Sequence, residues 1–155
     1  METVIRPELS TKNKYCIDKH RYYELKHFCL QYPYWRKNYA ELEASNIPLS
    51  MLEHIPTANL PGDPTAKRAH MEYFYSERIK LIEKTAIDTD PYLYGYIIKG
   101  VTDSRSYTYL KTKLGIHCGK DMYYDRYRKF FWLLNGNRES IAVECSRNLH
   151  VPLWK

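Results

Sequence analysis

The sequence predicts an all-α protein of about six helices. Three observations carry that expectation. Apolar side chains recur every three or four residues through most of the chain, the period of a helix with one buried stripe. Helix-start devices recur as well: Asp18 stands ahead of such a stripe, and Asp63-Pro64 and Asp90-Pro91 each place a capping side chain before a proline suited to the first helical turn. Strand-like alternation is confined to "SIAVECS" near the C-terminus.

In chain order, the first helix is expected to run from the Asp18 cap to about Gln31, with Tyr22, Leu25, Cys29 and Tyr32 on one side. "QYPYW" interrupts it, and Pro33 suits the start of a second helix to about Glu43, striped by Trp35, Tyr39 and Leu42. The two read as a helical hairpin. Asn46 to Pro61 carries Pro48, Pro56 and Pro61 and reads as an irregular connection. From Pro64 the stripe Met71, Tyr75, Ile79, Ile82 and Ala86 holds for more than four turns, so this is the longest helix. Asp90-Pro91 opens a fourth helix through Tyr94, Ile97, Ile98 and Val101. Ser104 or Ser106 caps a short fifth one, through Tyr107, Leu110 and Leu114, which ends at Gly115. The sixth is "KDMYYDRYRKFFWLLN", closed by Asn135-Gly136. Beyond Glu139 a short strand-like or irregular tail is expected, packing back through Leu153 and Trp154. The chain thus divides into a scaffold or dimerisation region, 1–88, a module, 89–138, and a tail, 139–155.

Composition narrows the function. Hydrophobic residues at 44% and charged ones at 27% place the chain among globular proteins rather than disordered ones. Sixteen tyrosines against six glycines point to surfaces that are half buried and half wet. No apolar run approaches the roughly 20 residues of a membrane span, and "METVIRPELSTKNKY" lacks the apolar core of a signal peptide. A reducing cytoplasm, without membrane association, is therefore expected. Cys16, Cys29, Cys118 and Cys145 show no paired spacing, so no disulfide frame is expected. Net charge is +6, unevenly spread. Lys12–Tyr39 carries seven basic against two acidic residues and Arg105–Arg138 eight against two, while Ala40–Ser104 carries six against ten. Positive charge concentrated at two places suits a polyanion, with nucleic acid the first candidate.

The sixth segment sorts its side chains. At about 100° per residue, Tyr123, Tyr127, Phe130, Phe131 and Leu134 fall on one arc and form a core-facing stripe. Asp121, Asp125, Arg128 and Lys129 point away, with Lys120, Tyr124 and Arg126 on the shoulders. A short helix, a glycine-containing turn and a longer amphipathic helix give a helix-turn-helix outline, whose second helix enters the DNA major groove while flanking cations hold phosphates. Two features depart from the common motif: Lys111 stands where a small residue is usual, and the turn "GIHCGKD" is about two residues longer than the usual one before the next core position, Tyr123. The candidate DNA-binding residues are Lys120, Tyr124, Arg128 and Lys129 along the second helix, with Arg105, Lys111 and Lys113 on phosphates.

A Tyr-x-x-Leu helix (Tyr107 to Leu110), a glycine-containing turn (Gly115 to Gly119) and the basic aromatic segment Tyr123 to Phe131, which opens Tyr-Tyr and ends Lys-Phe-Phe, together resemble the C-terminal module of RinA/ArpU-type late-gene transcriptional regulators of phages and prophages. "IDKHRYYELKHFCLQYPYWRKNYAEL" looks like the opening of such proteins. Together these cover about a third to a half of the chain. That module is similar to region 4 of sigma factors, so the resemblance implies promoter-proximal binding of double-stranded DNA, contact with RNA polymerase and residence in the bacterial host cytoplasm. A homodimer through the N-terminal region fits the same picture.

Other chemistry has weaker support. His20, His27, Cys16 and Cys29, His117-Cys118, and Cys145 with His150 lack the close Cys-x-x-Cys spacing of a structural zinc site. Asp88 and Asp90 are better explained as helix punctuation than as a metal pair. No phosphate-binding glycine loop, nucleophile elbow or His-Glu helix motif occurs. No enzyme, cofactor or metal is therefore expected. The rival class is a phage factor that docks on a host complex, RNA polymerase or an RNA-guided nuclease, through exposed aromatics such as Trp132 and Trp154.

Overall fold

The computed structural model describes residues 13–44 and 64–149, with side chains to Glu139. Among the described residues every regular element is an α-helix: α1 Lys19–Leu30, α2 Tyr32–Ala44, α3 Pro64–Thr89, α4 Tyr94–Thr102, α5 Tyr107–Lys113 and α6 Lys120–Leu149. The all-α expectation and the order of helices hold. The expected connection 46–61, the Asp63 cap, and the packing of Leu153 and Trp154 fall outside the described residues.

The helix starts follow from local chemistry. Asp18 accepts hydrogen bonds from the backbone N–H groups of His20 (3.0 Å) and Arg21 (3.3 Å), satisfying two of the donors that open α1. Pro33 sits in the first turn of α2 and Pro64 is the first residue of α3, where a missing N–H costs nothing. Of the two serines before α5, Ser106 is the cap, accepting from the Tyr109 N–H. Ser104 instead takes a left-handed backbone, φ +52°.

Two boundaries differ from expectation. Asp90 holds the N–H groups of Tyr92 (2.9 Å) and Leu93 (3.2 Å) on one carboxylate oxygen. That closes a turn at 91–93, so α4 begins at Tyr94 rather than at Pro91. The second correction is larger. α6 does not stop at Gly136, and "SIAVECS" is helical rather than strand-like. The residues around the glycine are tied to other helices. Arg21 donates to Asn135, Asn137 donates to the Thr85 hydroxyl (3.0 Å), and Arg138 reaches Glu24 (3.1 Å). These tertiary bonds outweigh the roughly 1 kcal/mol that a mid-helix glycine costs relative to alanine.

The chain forms two compact units, Met1–Leu30 with Leu81–Lys155, and Gln31–Lys80. These do not follow the division at 88/89: α1 packs with α4 and α6. In the first unit Tyr22, Leu25 and Cys29 of α1 are buried with Ile97 and Val101 of α4 and with the inner stripe of α6. The Tyr22 ring meets Phe131 edge-on at 5.0 Å, and its hydroxyl is 2.9 Å from that of Tyr127. Mutual hydrogen bonding lets two phenols be buried without an orphaned polar atom. In the second unit Trp35 and Leu42 of α2 are buried, as are Met71, Tyr75 and Ile79 of α3. Arg68 donates to the Leu42 carbonyl at 3.3 Å. Among the described residues no helix is long and apolar enough to cross a membrane.

Candidate nucleic-acid interface

α4, α5 and α6 build the candidate site. Its foundation is the inner stripe of α6: Tyr123, Tyr127, Phe130, Phe131 and Leu134 are all buried, as the spacing predicts. Burial pushes the pKa of the Tyr123 phenol upward, and that of Tyr127 too, where Tyr22 adds to the effect. Both stay neutral and structural. The Tyr123 hydroxyl lies against Gly100 of α4, so closely that a Cβ added there would collide with the phenolic oxygen. Glycine at this point lets the tyrosine pack onto the α4 backbone.

The link from α5 to α6 spans 114–119. Gly115 takes φ +66°, a conformation strained for other residues. The Ile116 N–H returns to the Leu110 carbonyl at 3.1 Å, and both side chains are buried in the angle between the helices. Tyr107, the first residue of α5, donates its hydroxyl to the Cys118 carbonyl at 2.8 Å and ties the far end of the turn. Six residues are more than the three or four of a standard helix-turn-helix turn. The extra length is held by these bonds. The Cys118 thiol, half-buried here, has its pKa pushed up, first by burial and then by the Asp90 charge.

The expected contact residues fall into two groups. Lys111 and Lys113 in the last turn of α5, Lys120 at the start of α6, and Arg105 before α5 are exposed. The Arg105 guanidinium lies over the Tyr109 ring, 4.5 Å from its centre. Lys120, Tyr124 and Arg128 follow one another at four-residue spacing and so line one edge of α6. Tyr124 is partly withdrawn into the aromatic cluster, with ring centres 6.4 Å from Tyr107 and 5.2 Å from Tyr123. Arg128 is partly exposed. Lys129 is different: its ammonium donates to the Thr89 carbonyl at 3.1 Å, capping the last turn of α3. In this structure its ammonium is turned to α3 rather than outward with Lys120.

The acids near this face are partly neutralised. Arg126 bonds both Asp90 (3.1 Å) and Asp125 (2.9 Å). Burial of Asp90 opposes its ionisation, but the Tyr92 N–H, Arg126 and the Leu93 N–H together hold its carboxyl below the ordinary value of 3.8. Asp121 remains exposed in the first turn of α6.

One cluster is invisible in the sequence pattern. Trp132, on the outward side of α6, meets Tyr15 of the N-terminal segment, ring centres 5.7 Å apart and tilted by 57°. The Lys14 ammonium lies 4.9 Å from the centre of the Tyr15 ring. Lys14 and Tyr15 precede α1 and belong to no periodic stripe, so only the chain's path could reveal them. A separate cleft of about 230 Å³ in the second unit is lined by Gln31, Tyr34, Trp35, Phe74 and Tyr75. It presents no converging acids, bases or nucleophiles. Among the described residues no three His, Cys, Asp or Glu side chains gather as metal ligands do. No protein-family model, no curated protein and no solved structure matches the chain.

Proposed function

We propose that the chain is a transcription regulator of phage type that binds double-stranded DNA through α5, the turn and α6. The observation that carries this is the sorting of α6 and its surroundings. The rings that fasten the helix are buried, while Lys120 and Arg128 stay accessible beside Lys111, Lys113 and Arg105. Cations on a rigid helical frame are suited to phosphates, and a helix edge bearing Lys120, Tyr124 and Arg128 is suited to the major groove. The resemblance of Tyr107–Phe131 to RinA/ArpU-type modules points the same way, and with it contact with RNA polymerase. Lys129 is left out of the DNA-facing set because its ammonium is committed to α3.

The test is a salt titration of binding to a promoter fragment from the source genome beside a random duplex. The expected outcome is tighter binding to the promoter, with affinity falling steeply as salt rises. Arg128→Ala should weaken binding. Lys111→Ala with Lys113→Ala should reduce the slope of log affinity against log salt by about 0.9 for each phosphate left without its cation. A second reading is favoured by the apolar side chains around the turn, Leu114 (40% exposed) and Met122 (46%). They suit docking on a host protein complex. Equal, weak binding to both duplexes, abolished at moderate salt, would support that reading and count against DNA recognition.

A further inference from the structure

We propose that Tyr15 and Trp132 form a stacking platform for an unpaired nucleobase of locally opened DNA, with Lys14 and Arg128 on the adjoining phosphates. The proposal rests on the DNA-binding reading above and specifies the state of the DNA beside α6.

Trp132 is 45% exposed although the opposite stripe of α6 is fully packed, so its indole is not needed for the core. Its aromatic neighbour Tyr15 is tilted by 57° and does not lie flat on it. Tyr15 is held in place locally: its N–H bonds the Asn13 side chain at 3.0 Å, and the Cys16 N–H bonds the Asn13 carbonyl at 3.2 Å. The platform is thus formed before any ligand arrives. Cations flank it. Lys14 sits over Tyr15, and Arg128 stands one helical turn before Trp132.

Asp18 is engaged in capping α1 and Asp125 pairs with Arg126, while Glu139, seven residues after Trp132, lies 3.9 Å from Arg21. Asp121 is eleven residues before Trp132, about 16 Å along the helix at 1.5 Å per residue. Aromatic faces beside accessible cations match single-stranded nucleic acid, whose bases offer π-faces and whose backbone offers phosphates. A paired duplex exposes only base edges in its grooves and would leave these rings unused.

The experiment measures binding of the full chain to one labelled duplex and to the same duplex with a short central mismatch bubble, at one salt concentration. Wild type is compared with Trp132→Leu and Tyr15→Leu, each checked for helical content by circular dichroism. The expected result is about tenfold tighter binding to the bubble, in line with one stacked base. Both variants should lose that preference and keep their affinity for the paired duplex. Equal affinity of wild type for the two DNAs, or a preference that survives in both variants, overturns the platform while leaving the duplex reading intact. Binding to neither DNA overturns both.

Discussion

Tyr123 is buried in the core, yet its hydroxyl finds no hydrogen-bond partner among the described residues and presses on the α4 backbone at Gly100. A buried hydroxyl without a partner has lost its water and gained nothing in return. Tyr123→Phe is therefore expected to leave stability within about 0.5 kcal/mol of wild type, or to raise it. Gly100→Ala should cost about 1–3 kcal/mol, because overpacking outweighs the gain in helix propensity. The two residues touch, so their effects should not be independent. Urea unfolding of the single and double variants is expected to show Gly100→Ala costing at least about 1 kcal/mol less in the Tyr123→Phe background. Simple additivity would mean that the phenolic oxygen is not what excludes a side chain at residue 100. In the second unit, burial and the neighbouring Tyr34 push the Tyr75 phenol up to about 12, so that ring too stays neutral.

Along a single helix, α6 uses its faces for different purposes, and adjacent residues should respond differently to the same truncation. Tyr127 is buried and pairs its hydroxyl with that of Tyr22. Tyr127→Ala is expected to destabilise the chain by about 3 kcal/mol or more, through the cavity and the orphaned Tyr22 hydroxyl. Arg128→Ala, one residue on, should fall within about 0.5 kcal/mol of wild type, as for a surface position without a packing role. Lys129→Ala should cost about 1 kcal/mol, because the Thr89 carbonyl is deprived of its charged donor. Thermal or urea unfolding of the three variants measures this order. An Arg128→Ala destabilisation as large as that of Tyr127→Ala would mean that the guanidinium is part of the core, and the DNA-facing role of that edge would fall with it.

Across the whole first unit, Asp90 is the point where several elements meet. It follows the last residue of α3, closes the turn before α4 and binds Arg126 of α6. Its folded-state pKa lies below the ordinary 3.8, so its contribution to stability is complete above that value. That contribution is lost as pH falls through the lower, folded-state value, because the protonated carboxyl no longer pairs with Arg126. Glu24 behaves likewise: hydrogen bonding and charge from Arg21, with Arg138, lower its pKa against opposing burial. Asp90→Asn should thus be less stable than wild type at pH 6, and the difference should shrink below about pH 4. Denaturant midpoints at about pH 6 and about pH 3 provide the check. A constant difference at both would show that the turn geometry, and not the charge, is what Asp90 supplies.

The helices, the inner stripe of α6 and the capping residues Asp18 and Ser106 are legible in the order of residues alone. They depend on periodicity and on bonds two or three residues away, which a linear pattern records. The exposed cations Arg105, Lys111, Lys113 and Lys120 are legible for a similar reason, since charged side chains without a local partner stay in water. The continuation of α6 past Gly136 is not, because the bonds of Asn135, Asn137 and Arg138 that secure it reach α1 and α3. Nor are the capping of α3 by Lys129, the room that Gly100 leaves for Tyr123, or the meeting of Tyr15 with Trp132. Most of these join residues tens of positions apart. Their strength depends on how the chain returns to itself in three dimensions, and no local period encodes that path.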